Sequence, residues 1–378
     1  MALQLRIITS LTEVKAEQWD GLCDEENFFL SHGFLLALEQ TGCLEPFGWL
    51  PHYFLLCDDS DQLIAAVPSY IKTNSYGEFV FDWAWADAYQ RSGLEYYPKL
   101  VVGSPYTPVG GQRLLCAPER LPELLPVMQK ALLQFCQQQN MTGLHWLFCT
   151  ENEKNQFEQV GLFSRLGCQY HWTNQNYQDF DHYLSHFASR KRKNILKERR
   201  KVKEQGITFQ LKTGHDMNSS EWQQVYDFYK NTFDEKYGTA TLTLAFFEHI
   251  GRTLPDNILL IFAQHDEKNV AVAICFRDKT SLYGRYWGCS EQYDSLHFET
   301  CYYQGLDYCI EHGLQRFEPG AQGTHKISRG FLPTKTHSAH WIAHPQFDNI
   351  IRQHVKQETQ MMLAECDALM QKSPFKCG

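Results

Sequence analysis

Apolar and polar residues along the chain change period in a repeating order, and that order predicts most of the elements. Ser31 and His32 open an apolar stretch at helical spacing, FLLALEQTG, that stops at Gly42. Two β-rich runs follow, HYFLLCDD and QLIAAVPSYIK, joined by the acidic turn Asp58 to Asp61, and EFVFDWAW reads as a third strand. A helix is expected from Leu121 to about Asn140, then a buried strand, LHWLFCT, and another helix from Gln156 to Leu166. The order recurs in the second half. Leu242 to Arg252 reads as a helix, ILLIFAQHD and VAVAICFRD as strands around the polar turn Asp266 to Asn269, and SLYGRYWGC as the third strand. The pattern argues for an internally duplicated fold whose halves are joined by one long helix over residues 181–206. A polar helix from Gln346 to Leu369 is expected to end the chain's regular structure.

The stretch from Ser281 to Pro333 is the most informative. SLYGRYWGC is a strand, Phe298, Cys301, Tyr302, Gly305 and Cys309 make one apolar helix face, and Gln315 to Glu318 begins a returning strand. Asp294 or Ser295 is expected to cap the helix, and Gly313 to stop it. Strand–helix–strand units place polar sites at the carboxyl ends of their strands. Arg285, His297, Glu299, Glu318, Gln322, His325, Lys326 and Arg329 gather at those ends, among the glycines Gly320, Gly323 and Gly330.

These residues carry a resemblance. Trp287-Gly288, Leu296-His297-Phe298-Glu299, and Glu318-Pro319-Gly320-Ala321-Gln322-Gly323 with His325-Lys326 and Arg329-Gly330-Phe331 resemble the Fem-like family of predicted N-acyltransferases, known as peptidoglycan biosynthesis or recognition proteins. So do Tyr76 to Asp82, Tyr96-Tyr97-Pro98-Lys99-Leu100 and the run Arg190 to Lys193. The resemblance implies an α/β protein of two tandem N-acetyltransferase-like domains with mixed sheets and a long basic connecting helix. The expected boundaries are 1–175 for the first domain, 176–345 for the second, and 346–378 for a terminal helix and tail. No cofactor is expected to be tightly bound; the cosubstrate is an acyl donor, aminoacyl-tRNA or acyl-coenzyme A. The glycine-rich pyrophosphate loop usual in coenzyme A-dependent relatives is replaced by GCSEQYDSLHFE, where Glu291 and Asp294 would repel phosphate. That departure fits the tRNA-linked donor better.

Charge sharpens the picture. The net charge is −9, yet residues 190–203 hold nine Lys or Arg and one Glu, so an acidic body carries one basic ridge. On a helix Arg190, Lys193, Lys197 and Lys201 share a face, while Leu184, Ile195 and Val202 hold another against the body. That face suits either solvent or a local anion, and the resemblance implies tRNA or a nucleotide-linked precursor as the anion. The 13 cysteines are scattered, several in apolar runs, and no apolar run approaches a membrane span of about 18 residues, so a reducing, cytoplasmic, soluble protein is expected.

Amide formation needs a neutral amine, a nearby activated carbonyl, and donors for the oxyanion. Glu299, Glu318 and His325 are the candidate bases or positioners. Arg285, Lys326 and Arg329 are candidate anion or oxyanion contacts, with His297 and Gln322 as further substrate contacts. In the first half, Lys72, Asp82 and Lys99 stand among Tyr70, Trp83, Trp85, Tyr96 and Tyr97, a composition suited to a cleft wall or to core packing. His337, His340 and His344 do not fit one face of a strand, and no metal site is expected. The alternative to an amide-forming enzyme is a binding module that holds an anionic cell-wall precursor or RNA without chemistry.

Overall fold

The computed structural model describes residues 3–24, 26–235 and 238–376. They form two compact units: residues 1–168 with 335–365, and residues 169–334 with 366–378. The expected boundary at 175/176 therefore differs, and residues 335–345, expected in the second domain, lie in the first unit. The physical reason is strand pairing: Trp341 and Ile342 pair with Leu144 and Gly143 of the first unit's central strand.

In chain order the strands are β1 (Gln4–Ile8), β2 (Trp49–Pro51), β3 (Tyr53–Cys57), β4 (Leu63–Val67), β5 (Ser69–Lys72), β6 (Lys99–Val102), β7 (Gly143–Cys149), β8 (Phe163–Thr173), β9 (Thr208–Thr213), β10 (Ile258–His265), β11 (Lys268–Arg277), β12 (Ser281–Cys289), β13 (Arg316–Glu318) and β14 (Leu332–Ile342). The helices are α1 (Ala16–Asp20), α2 (His32–Gln40), α3 (Trp83–Arg91), α4 (Leu121–Gln138), α5 (Glu151–Gln159), α6 (Phe180–Ser185), α7 (Ser189–Glu204), α8 (Ser219–Glu235), α9 (Leu244–Thr253), α10 (Leu296–Phe298), α11 (Gln304–Glu311) and α12 (Pro345–Met370).

The first unit has a three-stranded sheet, β1-β3-β4, and a mixed one, β2-β5-β6-β7-β14. β6 and β7 run parallel through the crossover helix α4, whose Leu124, Leu125, Met128 and Leu132 are buried in the core. The second unit repeats this device. Strands β9 to β12 form an antiparallel meander, and β12 and β13 run parallel through the helix between them. The α/β fold and the duplication expected from the sequence are thus present.

Several elements differ locally. EFVFDWAW is not a strand: Phe79 takes a left-handed φ of +60°, which breaks an extended run, and α3 begins at Trp83. The linker is two helices, broken at residues 186–188 where Lys376 N–H and Ala188 N–H bond the backbone of the opposite segment. The helix expected at 156–166 is earlier, because Thr150 and Glu153 form a capping box that starts α5 at Glu151. Strand β9 and helix α8 had no counterpart in the sequence reading.

His145 on β7 and His340 on β14 face each other in the first unit with Nδ1 atoms 2.8 Å apart, and His340 Nε2 lies 2.8 Å from Ser338 Oγ. Burial depresses both basicities, His145 to about 3 and His340 well below its usual value. Both are neutral in the fold, and the unfolded chain takes up their protons below about pH 6.5. Their stabilisation is therefore complete above that pH and lost as acid is added. Urea unfolding measured between pH 6 and pH 4 is expected to lose stability roughly 1.4 kcal/mol per pH unit less steeply in His340→Asn than in the parent.

Candidate functional site

The second unit's parallel pair is short. Ser281, Leu282 and Tyr283 of β12 lie against Arg316, Phe317 and Glu318 of β13, and there the pairing ends. β13 turns away through Pro319 and Gly320, whose φ of +95° a side chain would resist, while β12 continues to Cys289. At the parting point β12 is bulged: Ile274 opposes Tyr286 and Cys275 opposes Gly284, so Arg285 is the extra residue. Parallel strands that diverge leave a split in the sheet. It holds a narrow cavity of about 100 Å³, lined by Cys275, Arg285, Trp287, His297, Cys301 and Pro319 among others.

The helix over this split is irregular. Between α10 and α11, residues Glu299–Tyr303 form a π-turn, a feature frequent at functional sites. Neither Asp294 nor Ser295 caps the start: Ser295 has φ +68° and its side chain makes no cap bond, while Asp294 pairs with Lys201. Cys301 and Tyr302, brought into the π-turn, reach the cavity wall.

Polar groups meet at the end of β13. Glu318 is buried, with Oε1 3.2 Å from Arg316 Nε and Oε2 3.8 Å from His171 Nε2. Buried Lys326 donates from Nζ to the Gly320 carbonyl at 2.7 Å, and Arg285 donates from Nη1 to the Gly284 carbonyl at 3.0 Å. Burial, with Arg285 nearby, lowers Lys326 to about 8, and burial lowers Arg285 against the pull of Glu318. Three cations, Arg285, Arg316 and Lys326, and one carboxylate thus share a largely buried site where charge is weakly screened.

His171, on β8, is a residue the sequence reading passed over. Phe317 pairs with Trp172 and Arg316 with Thr173, so the antiparallel register sets His171 opposite Glu318. Its Nε2 lies 3.0 Å from Gln169 Oε1. A proton on Nε2 would be donated to Gln169 Oε1, and that tautomer leaves Nδ1 as the basic nitrogen. Burial lowers the imidazole's pKa, with Glu318 opposing. His171 also lines a cleft of about 780 Å³, with Thr173, Tyr177, His186, Phe375 and Lys376. Within the sequence its only signal was alternation in QYHWT.

Other expected residues are held differently. Glu299 is buried, 3.1 Å from Arg199 Nε and 2.8 Å from Gln304 Nε2, and burial raises its pKa against Arg199. Arg329 donates to Glu198 at 2.8 Å and lies 3.5 Å over the Phe298 ring. These two pairs dock α7 on the helix 296–311 region and its following turn, so Glu299 and Arg329 are engaged by protein partners. His297 is half-buried, its ring 5.4 Å from Trp287. His325 is exposed with Nε2 3.0 Å from Tyr302 Oη, and Gln322 is exposed. On α7, Arg190, Lys193 and Lys197 face solvent, Ile195 and Val202 are buried, and Leu184 belongs to α6.

A family profile described as FemAB-like, peptidoglycan biosynthesis/recognition, matches residues 10–377. The chain belongs to the FemAB-like family. No curated protein matches it. Among solved structures it is similar to a domain assigned to a lysylphosphatidylglycerol synthetase of Agrobacterium fabrum, at 10% identity and TM-score 0.56, covering 92% of this chain and 97% of that one. It is also similar to L-PGS from Bacillus licheniformis, at 10% identity and TM-score 0.53 over 89% and 96% of the two chains. FemX aligns at 9% identity and TM-score 0.52, over 83% and 93%. These likenesses show that the chain shares its duplicated α/β fold with those structures.

In this FemAB-like chain the first unit's polar cluster is enclosed rather than open. Lys99 bonds Glu78 at 2.8 Å, Ser75 Oγ at 2.9 Å and, closer still, Asp82. Tyr96 Oη donates to Asp82 at 2.7 Å. Burial raises Glu78 to about 7 despite Lys99; it would raise Asp82 too, but Lys99 draws that carboxyl down to about 2. Lys72, lowered by burial to about 7, lies 4.0 Å over the Trp49 ring. Among the described residues no group of His, Cys, Asp and Glu could hold a metal, and no helix is long and apolar enough to cross a membrane.

Removing Arg199 would leave Glu299 buried with its charge uncompensated. Arg199→Met is expected to lower unfolding free energy by about 2 kcal/mol, discounted for the partial exposure of Arg199, as read from urea denaturation.

Proposed function

We propose that this FemAB-like protein is an acyltransferase that forms an amide at the end of β13 in its second unit. The observation that supports the reading best is the split between β12 and β13, where Arg285 lines the narrow cavity, Lys326 bonds the Gly320 carbonyl and the His171–Glu318 pair stands at the end of β13. The donor is an activated acyl ester, aminoacyl-tRNA, with acyl-coenzyme A as the alternative. The acceptor is an amine on a cell-wall precursor.

In this reading the acyl carbonyl lies towards the narrow cavity, where Lys326 and Arg285 stabilise the oxyanion. The acceptor enters from the wide cleft and loses its proton to His171 Nδ1, while Glu318 supports the imidazolium across 3.8 Å. The amine nitrogen then bonds the carbonyl carbon, the carbon–oxygen bond to the tRNA ribose breaks, and the ribose oxygen receives the proton back from His171. A thioester would break its carbon–sulfur bond in the same step. Exposed Arg190, Lys193 and Lys197 supply a salt-sensitive contact for a polyanionic donor.

Incubation with labelled charged tRNA, and separately with acyl-coenzyme A, in the presence of an amine-bearing precursor is expected to yield a new amide. His171→Gln and Lys326→Met should each lower kcat/KM roughly a hundredfold or more. Lys326 helps only while protonated, so transfer should fall as pH rises through about 8, and Lys326→Arg should move that fall to higher pH. Consumption of neither donor would sink the reading.

A further inference from the structure

The first unit carries a loop folded inside out. Between Lys72 and Asp87 the only charged side chains are Glu78 and Asp82, and both are buried, at 3% and 4% exposure, on fully enclosed Lys99. Four of the five aromatic residues of the same stretch point outward, Trp85 alone being buried: Tyr76 is 68% exposed, Phe79 39%, Phe81 49% and Trp83 43%. Ordinary loops do the reverse, since burying carboxylates costs free energy and exposing large rings forgoes it. The loop is also well held. Tyr97 Oη lies 2.8 Å from Ser75 Oγ, Lys72 Nζ donates to the Tyr76 carbonyl at 3.2 Å, and Arg165 Nη1 donates to the Phe81 carbonyl at 2.7 Å. Arg165 is itself locked to Glu358 by two bonds of 2.7 Å.

We infer that Tyr76, Phe79, Phe81 and Trp83 form a surface that docks the protein on the interfacial layer of a lipid bilayer. Trp, Tyr and Phe are the side chains that favour that layer, where rings meet acyl chains and polar tips meet headgroups. Charge selects the occupant further. The stretch exposes no ionised group, on a chain whose net charge is −9, so the surface matches an uncharged or zwitterionic partner. A second copy of the chain or an anionic bilayer would bring like charge against like. An acidic or basic protein partner would find no charge to pair with. The enclosed triad Lys99, Glu78 and Asp82 thereby acquires a role: it holds the loop in the conformation that presents the rings.

The full-length protein is to be mixed with phosphatidylcholine vesicles and sedimented at low and at high salt. It is expected to pellet with the vesicles at both, and less with phosphatidylglycerol-rich vesicles at low salt. The double variant Phe79→Ser, Phe81→Ser should lower partitioning at least about tenfold with an unchanged urea midpoint, because the rings it removes are exposed. Trp83 is the exposed member of the nine tryptophans, so doxyl-labelled lipid should quench the fluorescence of the parent and do so less in Trp83→Phe, which keeps an apolar ring. Three results would overturn the inference: a parent that stays in the supernatant, a double variant that pellets equally, or a loss of self-association in place of a loss of vesicle binding.

Discussion

Three residue pairs of parallel strand determine the second unit's chemistry. β12 and β13 can bond only from Ser281 to Tyr283, because the Arg285 bulge twists one strand and Pro319-Gly320 turns the other. Once they part, backbone groups and side chains that a continuous sheet would have covered face a cavity instead. Arg285, Lys326 and Glu318 are brought together by that divergence, and His171 is added by the register of β8.

Charge is spent inside each unit to fix geometry. In the second, Glu198 and Arg199 on α7 bind Arg329, Glu299 and Asp307, so the inner face of the basic helix is an ion-pair dock and its outer face is left cationic. In the first, Lys99 draws two carboxylates into the core. Neither arrangement is the cheapest way to stabilise a fold, since buried ion pairs seldom exceed apolar packing in net stability. Both fix one conformation of a segment that carries exposed groups on its other side: cations on α7, aromatic rings on the 76–83 loop.

What could be read beforehand was set by local periodicity. Ser31 caps α2, α4 follows its apolar spacing, and the hairpin of β10 and β11 follows from two β-branched runs around a polar turn. The Ser281–Pro333 unit was legible because its strands and helix each bury one face. The 78–85 stretch was misread for a related reason. Its aromatic alternation mimics a strand, and only Lys99, seventeen residues beyond Asp82, reverses which side chains turn inward. Glu299 stood out as a carboxylate in the first turn of a helix and Arg329 as a charge beside a glycine, yet their partners Arg199 and Glu198 lie about a hundred residues away or more.

The sequence alone thus determined the α/β class, the duplication, the basic helix and the family, because each rests on short-range pattern or on motifs contiguous in the chain. Tertiary structure alone decided that residues 335–345 pair with the first unit, that His171 stands opposite Glu318, and that the 76–83 loop shows its rings and hides its acids. Each of those depends on strand register or on a buried counter-charge distant in sequence, and such interactions leave no period in the chain to be read.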